Sequence, residues 1–138
     1  MAYDLRQVQF NMQCVGLDAL PDYIPLNLAT EVGKMMQEKG LNMAAVSGTF
    51  NMIHPDQKVV EQGLKSLEII AGACGPMGTR MISLCTGTRN PEDKWRRHPD
   101  NARPEVWREM RNTMIKALEI AEHYDLYLGV EPEMANVV

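Results

Sequence analysis

The sequence predicts an α/β fold of four parallel strands in β-α-β-α-β-α-β order. Four short apolar or alternating runs each lead into a polar loop, and three stretches of helical apolar spacing separate them. Strands separated by helices run parallel through right-handed crossovers, so all four strand exits lie on one edge of the sheet. Polar and titratable residues gather at those exits, where parallel α/β sheets bind their ligands.

In chain order, residues 5–12 alternate polar side chains with Val8 and Phe10 and read as a strand, followed by a Gly- and Pro-marked loop over 13–25. Over 26–39, Leu28, Val32, Met35 and Met36 recur at helical spacing, and Gly40 suits the left-handed residue that ends a helix. Residues 41–46 are apolar except for Asn42, as expected of a strand covered on both faces. Asp56 can cap the second helix, whose stripe of Val60, Leu64, Leu67, Ala71 and Cys74 is expected to break at Gly75-Pro76. The third strand is 81–85. After a polar loop over 86–103, Pro104 fits the first turn of a helix because its missing N–H would have no partner there. That helix is expected to bury Trp107, Met110, Met114, Ala117, Leu118 and Ala121, and 126–130 forms the last strand. Met35, Met36, Met110 and Met114 read as adaptable core filler.

The bulk properties narrow the function. At 138 residues the chain reads as one domain over 1–138, short of the roughly 250 residues of a complete (β/α)8 barrel. Its formal charge of -4, with Lys and Arg dispersed among Asp and Glu, argues against nucleic-acid binding through a broad cationic surface. Arg96-Arg97-His98 is a local exception suited to a small anion. Cys14, Cys74 and Cys85 are odd in number and lack zinc-site spacing, which points to reduced thiols in a cytoplasmic protein. No apolar run approaches the ~20 residues of a membrane span, and the start Met-Ala-Tyr-Asp-Leu-Arg lacks the apolar core of a signal peptide.

Glu131 is the most informative candidate because it closes the apolar strand Leu126-Tyr127-Leu128-Gly129-Val130 at the ligand-binding edge. A carboxylate there can bind a divalent cation or move a proton; the alternative is a solvated strand-end glutamate. Glu133 follows two residues later. Thr49, Asn51 and His54 offer hydroxyl, amide and imidazole groups for sugar hydroxyls or a phosphate, although a loop or capping role is the commoner one for such a histidine. Thr88 and Arg89 belong to a turn suited to anions or polyols, without the spacing of an ATP-binding loop. Arg97 and His98, with Trp95 and Asn101, lie in a long loop of the kind that forms lids over strand exits.

Taken together, Val8-Gln9-Phe10-Asn11, the run from Ala45 to Asp56, Cys85-Thr86-Gly87-Thr88-Arg89, the run from Trp95 to Asn101 and Glu131-Pro132-Glu133 resemble the sugar phosphate isomerase/epimerase family. That resemblance implies a xylose isomerase-like TIM barrel of which this chain covers about half, with helices on one face of the sheet. It implies metal-dependent proton transfer next to the carbonyl of a small sugar or sugar phosphate. Glu131 would be the catalytic group, with Glu131 and Glu133 holding Mn, Mg, Co or Zn. Thr49, Asn51, His54, Thr88, Arg89, Arg97 and His98 would bind substrate. The family's ligands on later strands have no counterpart here, so the isolated chain is expected to be inactive. Two alternatives stand: a polyol dehydratase of the same superfamily, and a non-catalytic half-barrel. Open barrel edges and an apolar inner face would favour self-association as a homodimer.

Overall fold

The computed structural model describes residues 4–138; Met1–Tyr3, part of the start read above as lacking a leader core, lie outside the described residues. Strands β1 (Gln7–Phe10), β2 (Asn42–Ser47), β3 (Met81–Leu84) and β4 (Tyr127–Val130) alternate with helices α1 (Leu26–Glu38), α2 (Gln57–Met77) and α3 (Pro104–His123). All three strand pairings are parallel and the spatial order is β1-β2-β3-β4. An unbroken order of this kind carries every right-handed crossover over the same face, so the helices form one layer, as in a barrel wall. α1 packs on α2 and α2 on α3 within it.

The helix ends repeat one device. Gly40, Gly78 and Asp125 all have positive φ (64°, 84° and 56°). At each end the next residue donates its N–H five residues back: Leu41 to Met36 O, Thr79 to Cys74 O and Leu126 to Ala121 O. This closure satisfies terminal carbonyls and turns the chain directly into the following strand.

Three sequence expectations change. α2 does not break at Gly75-Pro76 but runs through Pro76 to Met77. Proline there forfeits a single intrahelical N–H bond, while Met77 is 1% exposed and anchors the last turn in the core. Gly33 of α1 sits so close to the Pro76 carbonyl that a methyl group would overlap it, which locks the crossing of α1 and α2. In α3 the buried stripe is Val106, Met110, Thr113, Ala117 and Ala121, leaving Trp107 and Leu118 largely exposed. The helix is turned so that the Thr113 hydroxyl donates to the Met52 carbonyl at 3.0 Å. Met35 of α1 is likewise exposed rather than core.

Phe10, Met43, Val46, Ile82 and Leu84 point into the helix-side core. A bulge between Val8 and Gln9 in the β1–β2 register lets Met43 and Val46, three residues apart, face the same way. By alternation the opposite, concave face carries Gln9, Ser47, Ser83 and Gly129, with Met81 and Tyr127 at its lower end. The Gln9 amide donates to the Ser83 hydroxyl at 2.7 Å across this face. Toward the strand exits the inner face is therefore small and polar, while Met81 and Tyr127 keep its lower end apolar and exposed.

Burial in the helix layer pushes the Cys74 thiol up to about 12 from 9.0. Above pH 9 the unfolded chain loses this proton while the folded chain keeps it, so stability falls as pH rises toward 12. The expected slope is about 1.4 kcal/mol per pH unit, or about 4 kcal/mol across the window. Urea denaturation of Cys74→Ala and the parent between pH 8 and 11 checks it: the parent should lose more stability than the variant.

Candidate functional site

At the C-terminal ends of the strands, Gln9, Asn11, Gln13, Ser47, Thr49, Lys94, Trp95 and Glu131 line a mouth of about 370 Å³ above the concave face. β4 positions Glu131: its N–H donates to Leu84 O at 2.8 Å, extending the β3–β4 ladder by one residue beyond the strand. Alternation from Tyr127 and Gly129 then directs the carboxylate to the concave side. It is exposed, and among the described residues no Lys, Arg or His lies within ion-pair distance of it. Thr49 enters the mouth from the β2 exit, and its carbonyl accepts from Lys94 Nζ at 3.3 Å. The mouth thus combines one carboxylate, one ammonium, an indole and a set of amides and hydroxyls. That inventory suits a small polyhydroxylated ligand and can exchange a proton with it.

The other candidates go elsewhere. Asn51 is a buried clamp: its Nδ2 donates to Thr88 O at 2.7 Å, and its Oδ1 accepts from Thr88 N–H at 3.1 Å and Ile53 N–H at 3.3 Å. Thr88 is fully buried, and its hydroxyl donates to Arg96 O at 2.9 Å. Arg89 points outward, donating to Ile53 O at 3.1 Å and pairing with Glu109 of α3. His54 accepts from Asp56 N–H through Nδ1 at 3.0 Å, leaving Nε2–H to meet Pro91 O at 3.2 Å. His98 caps the 3₁₀ turn Pro99–Ala102 by accepting from Asp100 N–H at 3.3 Å. Arg97 is exposed and does not line the mouth. Of the seven substrate-binding candidates, only Thr49 lines the mouth. The physical reason is that side chains with several donors find backbone partners when long loops fold over one another.

Glu133 is half-buried and lies outside the mouth lining. Its backbone N–H accepts a place in the last turn instead, donating to Val138 O at 3.2 Å. This segment docks on the β3 exit through Gly87 N–H to Asn136 Oδ1 at 2.8 Å and Val137 N–H to Gly87 O at 3.2 Å. Cys85, just past β3, is buried; burial raises its thiol pKa, Lys94 opposes this, and Glu133 and Glu131 reinforce it. Sequence reasoning missed Gln9 and Lys94 in the mouth. Gln9 was legible as the polar partner of Val8 and Phe10 in an alternating strand; Lys94 had no local signal.

A family model described as a xylose isomerase-like TIM barrel matches residues 3–137. The chain belongs to that family. Solved barrels that resemble it include the IolI protein with a bound zinc atom, at 14% identity and a TM-score of 0.63, covering 91% of this chain and 41% of that one. A putative xylose isomerase from Rhodospirillum rubrum shares 17% identity with a TM-score of 0.66, covering 93% of this chain and 44% of that one. The 3-keto-D-glucoside 4-epimerase YcjR from E. coli shares 17% identity with a TM-score of 0.59, covering 94% and 56% respectively. At these identities the likeness shows the fold. The chain spans about half the length of these barrels, and no curated protein matches it.

The divalent metal implied by the resemblance can be set against this chain's donors. Among the described residues no group of three His, Cys, Asp or Glu side chains is placed to hold a metal ion. Glu131 offers one carboxylate, and its amide and hydroxyl neighbours are weak metal ligands, so the residues present do not make a metal site. No helix among the described residues is long and apolar enough to cross a membrane.

Proposed function

We propose that the mouth at the strand exits is the sugar-binding half of an isomerase or epimerase site, with Glu131 as its proton-transfer group. The observation that carries this reading is the convergence of Glu131 with Asn11, Ser47 and Thr49 above a polar concave face. Hydroxyl and amide groups can hold a sugar's hydroxyls in bidentate fashion, and a carboxylate beside a carbon next to a carbonyl can remove and return its proton. Trp95, 51% exposed at the rim, offers a flat face for the C–H side of a sugar ring.

One wall of a barrel leaves a bound sugar open to water, and a half-site of this kind has negligible isomerase activity alone. The Mn, Mg, Co or Zn that the resemblance implies would need ligands contributed by strands beyond β4, and a second copy of the chain is the association we propose for covering the open edges. An exposed, free Cys14 fits a reducing, cytoplasmic setting.

Heteronuclear NMR with a neutral pentose tests where sugars bind. Shifts are expected at Gln9, Thr49, Trp95 and Glu131. Shifts confined to the outer cavity of about 620 Å³ beside His54, Lys58 and Gln62, or no shifts at all, would contradict the assignment.

A further inference from the structure

We propose that Lys94 sets the ligand class of the mouth, its ammonium receiving a phosphate or carboxylate group carried by a sugar whose ring lies against Trp95. This rests on the reading of the mouth as a sugar site. The cations that the sequence offers for an anion, Arg89, Arg97 and His98, all lie outside the mouth, whereas Lys94 is the one cation lining it among the described residues.

Lys94 is placed for this role by the loop around it. Asn90 Oδ1 accepts from the N–H groups of Glu92 and Asp93, both at 2.9 Å, and Asn136 Nδ2 donates to the Lys94 carbonyl at 3.3 Å. The ammonium is half-buried, donates one N–H to Thr49 O at 3.3 Å and stands 5.2 Å from the centre of the Trp95 ring. A lysine has three such donors, so two remain for a ligand. Its charge also acts on Cys85, just past β3, where it opposes Glu131 and Glu133 in their effect on the thiol.

Opposite charges in one mouth sort a ligand by its ends. Glu131 repels an anionic substituent and Lys94 attracts it, so an anionic sugar is held with its charged end at Lys94 and its uncharged end toward the carboxylate. A neutral sugar gains neither orientation nor the charge-assisted hydrogen bond.

Trp95 fluorescence reads the test, in a Trp107→Phe background because Trp107 is the second tryptophan and lies on α3 away from the mouth. The ligands are D-glucose, D-glucuronate and D-glucose 6-phosphate. Both anionic sugars, or one of them, should bind about tenfold more tightly than glucose, as one charge-assisted contact in a partly exposed site provides. Which of the two responds distinguishes carboxylate from phosphate. Lys94→Gln, which keeps a donor for Thr49 O, should erase that preference by weakening the anionic sugar about tenfold more than glucose, and Lys94→Arg should retain it. Equal binding of all three sugars, or an equal loss of all three in Lys94→Gln, overturns the role of Lys94 and leaves the sugar site standing. No response to any sugar overturns the sugar site and this inference with it.

Discussion

Gly87→Ala should be among the most damaging single substitutions in this chain, lowering stability by about 3–5 kcal/mol. Gly87 has φ +83°, a conformation that strains an L side chain by about 1–3 kcal/mol. An added Cβ would also overlap the Asn51 side-chain oxygen, the atom that accepts from Thr88 N–H and Ile53 N–H. Moving Asn51 leaves buried backbone donors unsatisfied, at a further cost of about 1–3 kcal/mol. Gly87 also joins the β3 exit to the segment after β4 through its bonds with Asn136 and Val137, so the loss should spread to the rim around Glu131. Urea denaturation measures the cost. A change under about 0.5 kcal/mol, the range of an ordinary surface substitution, would mean that the clamp is not what holds this loop.

This clamp marks the limit of what the sequence could reveal. The strands, their parallel order and the position of Glu131 at an exit were legible because apolar runs and helical spacing are local patterns. Pro104 at the start of α3 and Gly40 at the end of α1 were legible for the same reason: each supplies a backbone conformation wherever it sits. The direction of Asn51 was not, since its partners lie 37 residues away and are backbone atoms of another loop. Arg89 shared that fate, turning outward to Ile53 and Glu109. Lys94 came to line the mouth only because its loop folds back over Thr49. The rotation of α3 was misread because Thr113, which looks polar in sequence, finds a buried carbonyl and draws the helix round.

Self-association is the second large effect expected: light scattering at micromolar concentration should give twice the 15.6 kDa of the chain. The upper concave face, which Gln9, Ser47 and Ser83 make polar, contributes little to this, and only Met81 and Tyr127 at its lower end are exposed and apolar. The driving surface lies along the two open edges. Beside β4, Ile115, Leu118, Val130 and Val138 are each 42–47% or, for Val130, 40% exposed and flank a groove of about 330 Å³. Leu5, just before β1, is 76% exposed, and Tyr23, Leu26 and Met35, before and within α1, are 59–70% exposed. Unpaired strand edges flanked by apolar side chains favour pairing with another chain. Two copies supply eight strands, the number that closes this type of barrel. Ile115→Glu with Val130→Lys should restore the monomer while leaving the helical circular dichroism intact. A monodisperse, folded monomer of the parent chain at that concentration would exclude the association.

Calorimetric titration of the chain with manganese, magnesium, cobalt and zinc tests most directly the proposal that Glu131 is the one strong metal ligand in the mouth among the described residues. One carboxylate without partner ligands holds a divalent ion weakly, so the expected result is shallow, non-saturating heat with no defined stoichiometry for any of the four metals. Stoichiometric, tight binding by the parent chain that disappears in Glu131→Ala would contradict it, because the coordination shell would then already be complete within these four strands.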